Sequence, residues 1–250
     1  MKYLPLITLL AALSQLVTLF FFGAGSFEGS ATNALPTFIQ PAGWAFSIWG
    51  LIYALSIVYA IYQYLPQNDN QALRANRPFA IVAFLGSSAW LFLANQSEVL
   101  LWLTIPTLFA MGLSLSYIVL QPDLTSARHQ FYSKAILYPY AAWTGIAQWL
   151  NVQALLNAQG IITDPIINVA SNIAFLSVIA VFSFYFFYRS GWSVWYGGVI
   201  AWASMGIVYT NMLESGNLIF ALMGSALFLF ALTFITTKKS WKLSANESST

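Results

Sequence analysis

Cysteine is absent from the 250 residues. That excludes disulfides, thiolate nucleophiles and cysteine-ligated metal sites, and it leaves the redox compartment open. Charge is nearly absent as well: Asp, Glu, Lys and Arg make up 6% of the chain, against about 25% in a soluble domain. A chain so poor in charge cannot cover itself with a water-facing surface, so the bilayer is its expected solvent. The net charge of +2 supplies no basic stripe for nucleic acid. Histidine occurs once, as His129, in a link between apolar stretches. It cannot serve as an intramembrane axial ligand, and no His, Cys or carboxylate cluster forms a metal site. No Ser–His–Asp arrangement and no Gly-rich phosphate loop is visible. The sequence thus carries no recognisable catalytic machinery, and aromatic side chains alone are no evidence of turnover.

What is present is apolar and aromatic: 59% of the chain is hydrophobic, and Phe, Trp and Tyr together make up 17% of it. Eight apolar stretches are expected to cross the membrane, at 4–23, 43–65, 78–95, 99–121, 134–157, 166–188, 193–212 and 217–237. Each is near the roughly 20 residues that cross the hydrocarbon core. The stretches are long and continuous rather than short and alternating, which argues against a β-barrel. The first stretch exceeds the ~7–15 residues of a signal-peptide core, so it reads as a retained span. The expectation is an all-α polytopic membrane protein.

The charges test this count independently. With eight spans, one side receives Lys2, Arg74, Arg77, Arg128, Lys134, Arg189, Lys238, Lys239 and Lys242, which is every Lys and Arg in the chain. The other side receives Glu28, Glu98, Asp164 and Glu214 and no basic residue. The positive-inside rule places the basic side, and with it both termini, in the cytoplasm. No charged residue falls in mid-span, which disfavours ion pumps, proton relays and voltage sensors. The buried polar inventory is amide and hydroxyl: Gln15, Ser87, Ser88, Gln148, Asn151, Asn168, Asn172 and Thr210. Such groups tie helices together or contact a ligand.

Two aromatic stretches stand out. In PAGWAFSIWG, residues 41–50, Pro41 and Gly43 suit a helix start. Phe46, Trp49 and Tyr53 then share one helix face, and Trp44 sits nearer the end, where a headgroup anchor belongs. In ILYPYAAWTGIAQWLN, residues 136–151, Tyr140, Trp143 and Ala147 share a face that Asn151 continues. Pro139 is expected to kink this helix near its start. Ala141, Ala142, Gly145 and Ala147 either allow close helix approach or leave room for a flat ligand. Trp90 in GSSAWLFLANQ is the third mid-span candidate. The rings read either as bundle packing or as the wall of a pocket.

The stretch PAGWAFSIWGLIY resembles the second-helix signature of the translocator protein family, also called tryptophan-rich sensory proteins (TspO/MBR). YPYAAWTGIAQWLN resembles that family's fifth-helix signature, with Pro139, Tyr140, Trp143, Ala147, Leu150 and Asn151 in register. The likeness covers about residues 1–157, as a TspO-like five-helix bundle, and three additional transmembrane helices follow over 158–237, then a polar cytoplasmic tail over 238–250. The resemblance implies a bundle that binds porphyrins or sterol-like molecules beneath a lid-like first loop, here 24–41. On that basis the candidate ligand-binding residues are Trp44, Phe46, Trp49, Tyr53, Ser87, Trp90, Tyr140, Trp143, Ala147 and Asn151. Two departures stand out: the spacing of Trp44 and Trp49 is one residue shorter than usual, and Ser87 stands where the family often has asparagine.

Three functions are weighed. The first is a membrane receptor, carrier or sensor for a porphyrin-like tetrapyrrole or other planar apolar ligand, which needs no fixed cofactor but can hold a tetrapyrrole or lipid. The second is a structural or assembly subunit of a larger membrane complex, with the last three spans packed on lipid, a second copy in a homodimer, or another subunit. The third is a transporter, disfavoured by the lack of mid-membrane charge and of an inverted repeat.

Overall fold

The computed structural model describes residues 3–22, 35–96, 101–122 and 126–247, with side chains described through 237. Among these residues there is no strand, and eight long helices carry the fold. They are α1 (Leu4–Phe22), α2 (Ile48–Tyr64), α3 (Gln71–Leu93), α4 (Thr104–Leu120), α5 (Tyr138–Ala158), α6 (Pro165–Arg189), α7 (Val194–Tyr209) and α8 (Leu218–Glu247). A 3-10 turn, Gly43–Ser47, leads into α2, and a short helix, Ala127–Ser133, precedes α5. A π-type turn, Thr210–Glu214, ends α7. The architecture is the expected all-α membrane protein.

Helix α1 packs on α2 and α3, α3 on α4, and α4 on α5; α5 also meets α6 and α7, and α8 lies along α7. Helix α5 is therefore the hub, and it is buried on nearly all sides from Tyr138 to Gln148. Four helical segments are long and apolar enough to span on composition alone: Leu4–Phe22, Gly43–Tyr64, Pro165–Arg189 and Leu218–Thr237. Each keeps large apolar side chains exposed, such as Phe20, Leu51, Val181 and Leu222. This is the outward face that acyl chains require. Helices α3 and α5 are less apolar because protein surrounds them: Ser87, Ser88, Thr144 and Gln148 are all buried.

Three boundaries differ from expectation. Helix α3 begins at Gln71 rather than at Pro78. Its polar first turns are capped by Asn70, whose Oδ1 accepts the Leu73 N–H at 3.0 Å. Arg77, 5% exposed, donates to the Gln63 side chain at 2.7 Å, the Gln63 carbonyl at 3.0 Å and Asp69 at 2.9 Å. Pro139 does not kink α5. The helix starts at Tyr138, so the proline occupies the first turn, where a missing N–H leaves nothing unpaired. Helix α8 continues to Glu247, through most of the segment read as a polar tail.

The lead-in to α2 is held by α5, α6 and α7. Of the expected lid, 24–34 lies outside the described residues. The remainder is non-helical, and its backbone groups are met by asparagines. Asn157 Nδ2 donates to Leu35 O at 3.0 Å, Asn168 Nδ2 to Pro36 O at 3.0 Å, and Asn211 Nδ2 to Phe38 O at 2.7 Å. Asn172 Oδ1 accepts from Ile39 N at 3.3 Å. Asn168 Oδ1 also receives N–H groups from Gln153, Asn157 and Asn172, which joins α5 to α6. Trp202 Nε1 on α7 then donates to Ala45 O at 2.8 Å. Apolar surroundings make an unpaired peptide group cost several kcal/mol, on the order of 2–7. Irregular chain survives here because side chains and backbone from neighbouring helices meet many of its peptide groups.

Gly206 completes the seat. The Ala42 N–H reaches its carbonyl at 3.2 Å, and a Cβ on Gly206 would fall 2.8 Å from Pro41 Cβ and 3.0 Å from Ala45 Cβ. Gly198, on the same helix, has open space. Gly198→Ala should hold or raise the thermal midpoint in detergent, since alanine gains about 1 kcal/mol of helix propensity. Gly206→Ala should lower it by a few degrees. Equal shifts at the two sites would contradict this seat.

Outside the spans, Asp69 bonds Arg74 at 2.6 Å and Arg77 at 2.9 Å. The hydrogen bond from Arg74 is the largest influence on its carboxyl; burial opposes it, and Arg77 adds to it, leaving the pKa below the ordinary carboxylate range. A carboxyl depressed in the folded state stabilises above its unfolded pKa and loses that contribution as pH falls through the folded value. Asp69→Asn should therefore lower the unfolding midpoint at neutral pH, and the difference from wild type should shrink below about pH 4, the unfolded carboxyl range.

Candidate aromatic site

The aromatic face of α2 meets those of α3 and α5. Trp49 stands at the centre. It stacks on Trp90 of α3 with centroids 5.7 Å apart and planes 27° from parallel. It contacts Tyr53 one turn on at 5.5 Å. From α5, Tyr140 and Trp143 meet it edge-on, at 5.9 and 6.4 Å. Phe46 caps the group, edge-on to Trp143 at 5.5 Å. Each such pair contributes roughly 0.5–1.5 kcal/mol beyond its buried area. Trp49, Tyr53, Trp90, Tyr140, Trp143 and Ala147 are all buried, and Phe46 is half-buried.

Polar tips fix several of these rings. Tyr53 and Ser87 hydroxyls lie 2.9 Å apart, joining α2 to α3. The Tyr140 hydroxyl donates at 3.0 Å toward Gln15 Oε1 and Ala83 O, joining α5 to α1 and α3. Trp90 Nε1 reaches Asn151 Oδ1 at 3.4 Å, while the Asn151 amide donates back to Ala147 O at 2.8 Å. The unpaired exceptions are two indoles: the buried Nε1–H groups of Trp49 and Trp143 have no acceptor. Leaving a buried donor unmet costs about 1–3 kcal/mol. A cluster otherwise hydrogen-bonded thus carries two donors without an acceptor among the described residues.

The structure brings together nine of the ten candidate residues. Trp44 is not among them. It lies in the 3-10 turn, 37% exposed, with its ring edge-on to Trp202 at 4.9 Å and Tyr209 at 6.2 Å of α7. Gly145, one of the small residues of α5, leaves no free room: its Cβ position is 2.6 Å from the Phe182 ring of α6. Phe84 stacks on Tyr140 at 6.1 Å and extends the cluster. Sequence reading missed it, although its spacing from Ser87 and Ser88 puts it on their face. It also missed Gln153, Asn157 and Asn211. The i, i+4 repeat of amides at 153/157 and 168/172 was the available signal, since it puts two amides on one face of each helix.

No curated protein and no solved structure matches the chain. The sequence profile of the TSPO-like protein family does match, over residues 4–236. The match runs from α1 into α8, so the last three spans lie within it rather than beyond it. An all-α membrane bundle, an aromatic cluster at the meeting of α2, α3 and α5, and a profile match through all eight long helices lead to one conclusion: the chain belongs to the TSPO-like protein family.

Proposed function

We propose that this integral membrane protein is a receptor, carrier or sensor for a planar, largely apolar ligand with a hydrogen-bond acceptor, a porphyrin-like tetrapyrrole being the leading class. The observation that carries the reading is the pair of unmet indole N–H groups on Trp49 and Trp143, inside a cluster built by three helices. A tetrapyrrole offers a flat π surface for the rings and carboxylate edges as acceptors.

Size sets the terms of entry. Two rings that sandwich a disc stand roughly 7–8 Å apart, twice the ~3.5–4.0 Å carbon contact distance. Trp49 and Trp90 are only 5.7 Å apart between centroids, so a guest must part them. That loses one ring pair and gains two ring–guest faces, each of similar strength, together with partners for the orphaned donors. The exchange is favourable on those terms before burial of the guest is counted.

Trp49→Phe and Trp143→Phe keep a ring and remove the donor. Each should weaken protoporphyrin binding, read from the shift of its main absorption band, by about 5–10-fold, one hydrogen bond's worth. Trp149 also has an unmet Nε1–H, but its ring packs on Phe109 and Phe175 instead. Trp149→Phe should leave binding unchanged. Equal losses at all three positions, or at none, would remove the site.

The proposed orientation puts the basic ends and both termini in the cytoplasm. The absence of cysteine makes this directly testable. In intact cells or right-side-out vesicles, an impermeant maleimide should label Ile161→Cys, between α5 and α6, without permeabilisation. Ala127→Cys, before α5, should need permeabilisation. The reverse pattern would invert the topology, and labelling of both from one side would break the span count.

A further inference from the structure

A groove lies away from the aromatic cluster, at the end of α2 that the charge pattern assigns to the cytoplasm. It has a volume of about 490 Å³ and lies between the end of α2 and the short helix Ala127–Ser133. This is within the ~300–1,000 Å³ usual for small-molecule sites. Its two halves differ in chemistry. One wall is apolar: Val58, Ile61 and Leu65, along the last turns of α2. All three are exposed, and Val58 and Ile61 belong to a segment apolar enough to span the bilayer. The other wall is Arg128 and His129.

The polar wall is ordered by ring contacts. Tyr62 and Tyr132 stack at 4.3 Å, 13° from parallel. The Tyr62 hydroxyl lies 2.7 Å from His129 Nδ1. If that hydroxyl donates, the neutral ring carries its proton on Nε2, which makes Nε2 a donor at the groove. Arg128 is exposed, and no acceptor bonds its guanidinium among the described residues. Among the described residues, no carboxylate lines the groove. Asp69, next to Asn68 in the chain, is already engaged by Arg74 and Arg77.

We propose that this groove binds one anionic phospholipid from the cytoplasmic leaflet, with the phosphate on Arg128 and His129 and an acyl chain along Val58, Ile61 and Leu65. The juxtaposition decides between sources of the anion. A free phosphate would use the cationic wall and leave the apolar one wet. A zwitterionic lipid would use the apolar wall but carries a compensating cation. An anionic lipid satisfies both. The site is independent of the aromatic cluster and of what that cluster binds.

The test uses the delipidated full chain in detergent, with native mass spectrometry during titration. The probes are phosphatidylglycerol, phosphatidylcholine with the same acyl chains, and inorganic phosphate. The expected result is one phosphatidylglycerol bound in preference to phosphatidylcholine. Arg128→Gln should weaken it about fivefold, the loss of one interfacial cation. Ile61→Glu should weaken it as well. Arg189→Gln, at the exposed end of α6 and outside the groove, should have no effect. Both groove variants alter exposed side chains, so the fold is retained. Phosphatidylglycerol binding untouched by Arg128→Gln would overturn the proposal. Saturation of the site by inorganic phosphate alone, insensitive to Ile61→Glu, would make it a soluble-anion site and overturn the lipid assignment.

Discussion

The structure depends on one constraint: a peptide group shielded from water without a partner is too costly to keep. Helices meet that constraint by themselves. The segment 35–42 does not, because it is irregular and wedged among helix ends. It is held by amide side chains from three other elements, Asn157 of α5, Asn168 and Asn172 of α6, and Asn211 after α7. The wedge fixes where α2 begins. That start sets the rotation of α2, and the rotation aims Trp49 and Tyr53 at α3 and α5 rather than at lipid. The aromatic cluster is thus downstream of a polar clamp supplied by helices that follow it in sequence.

The same dependence gives the last three helices a role. Helices α6 and α7 pack on α5 and on the segment that leads into α2. Helix α6 fills the space beside Gly145 with Phe182, helix α7 seats Pro41 and Ala45 on Gly206, and helix α8 lies along α7. The family profile runs through them to residue 236, consistent with a unit that needs all eight. The polar ties within the bundle are spread over helix pairs: Tyr53 to Ser87, Tyr140 to Gln15, Trp90 to Asn151. Within the aromatic cluster, the indole donors of Trp49 and Trp143 are left over. These two neighbouring donors are where the proposed ligand would supply an acceptor.

Much of this was legible in the sequence, for stated reasons. Long apolar runs survive as helices because lipid permits little else. The faces of Trp49, Tyr53, Tyr140, Trp143 and Ala147 converge because a 3.6-residue period fixes which side chains share a side. Other features depend on contacts distant in sequence and were not readable. Helix α3 starts seven residues early because Gln63 and Asp69 take up Arg77. Pro139 looked like a kink until the turn before it showed where α5 begins. The gap at Gly145 could have held a ligand, and only the packing of α6 shows Phe182 in it. Trp44 shares the α2 signature, yet the 3-10 turn directs it to Trp202. The amide clamp was half visible: Asn168 and Asn172 stand out in the sequence, but their partner segment, 35–39, does not.

Hydrogen exchange on the segment 35–45 tests the central claim most directly. In the detergent-solubilised or nanodisc-embedded protein, a peptide covering this segment should be protected well beyond an unstructured link. In Asn168→Ala, which removes the amide that binds Pro36 O and organises its neighbours, protection there should fall while α3 and α4 keep theirs. Rapid exchange of the segment in the unmodified protein, or protection unchanged by the substitution, would contradict the account.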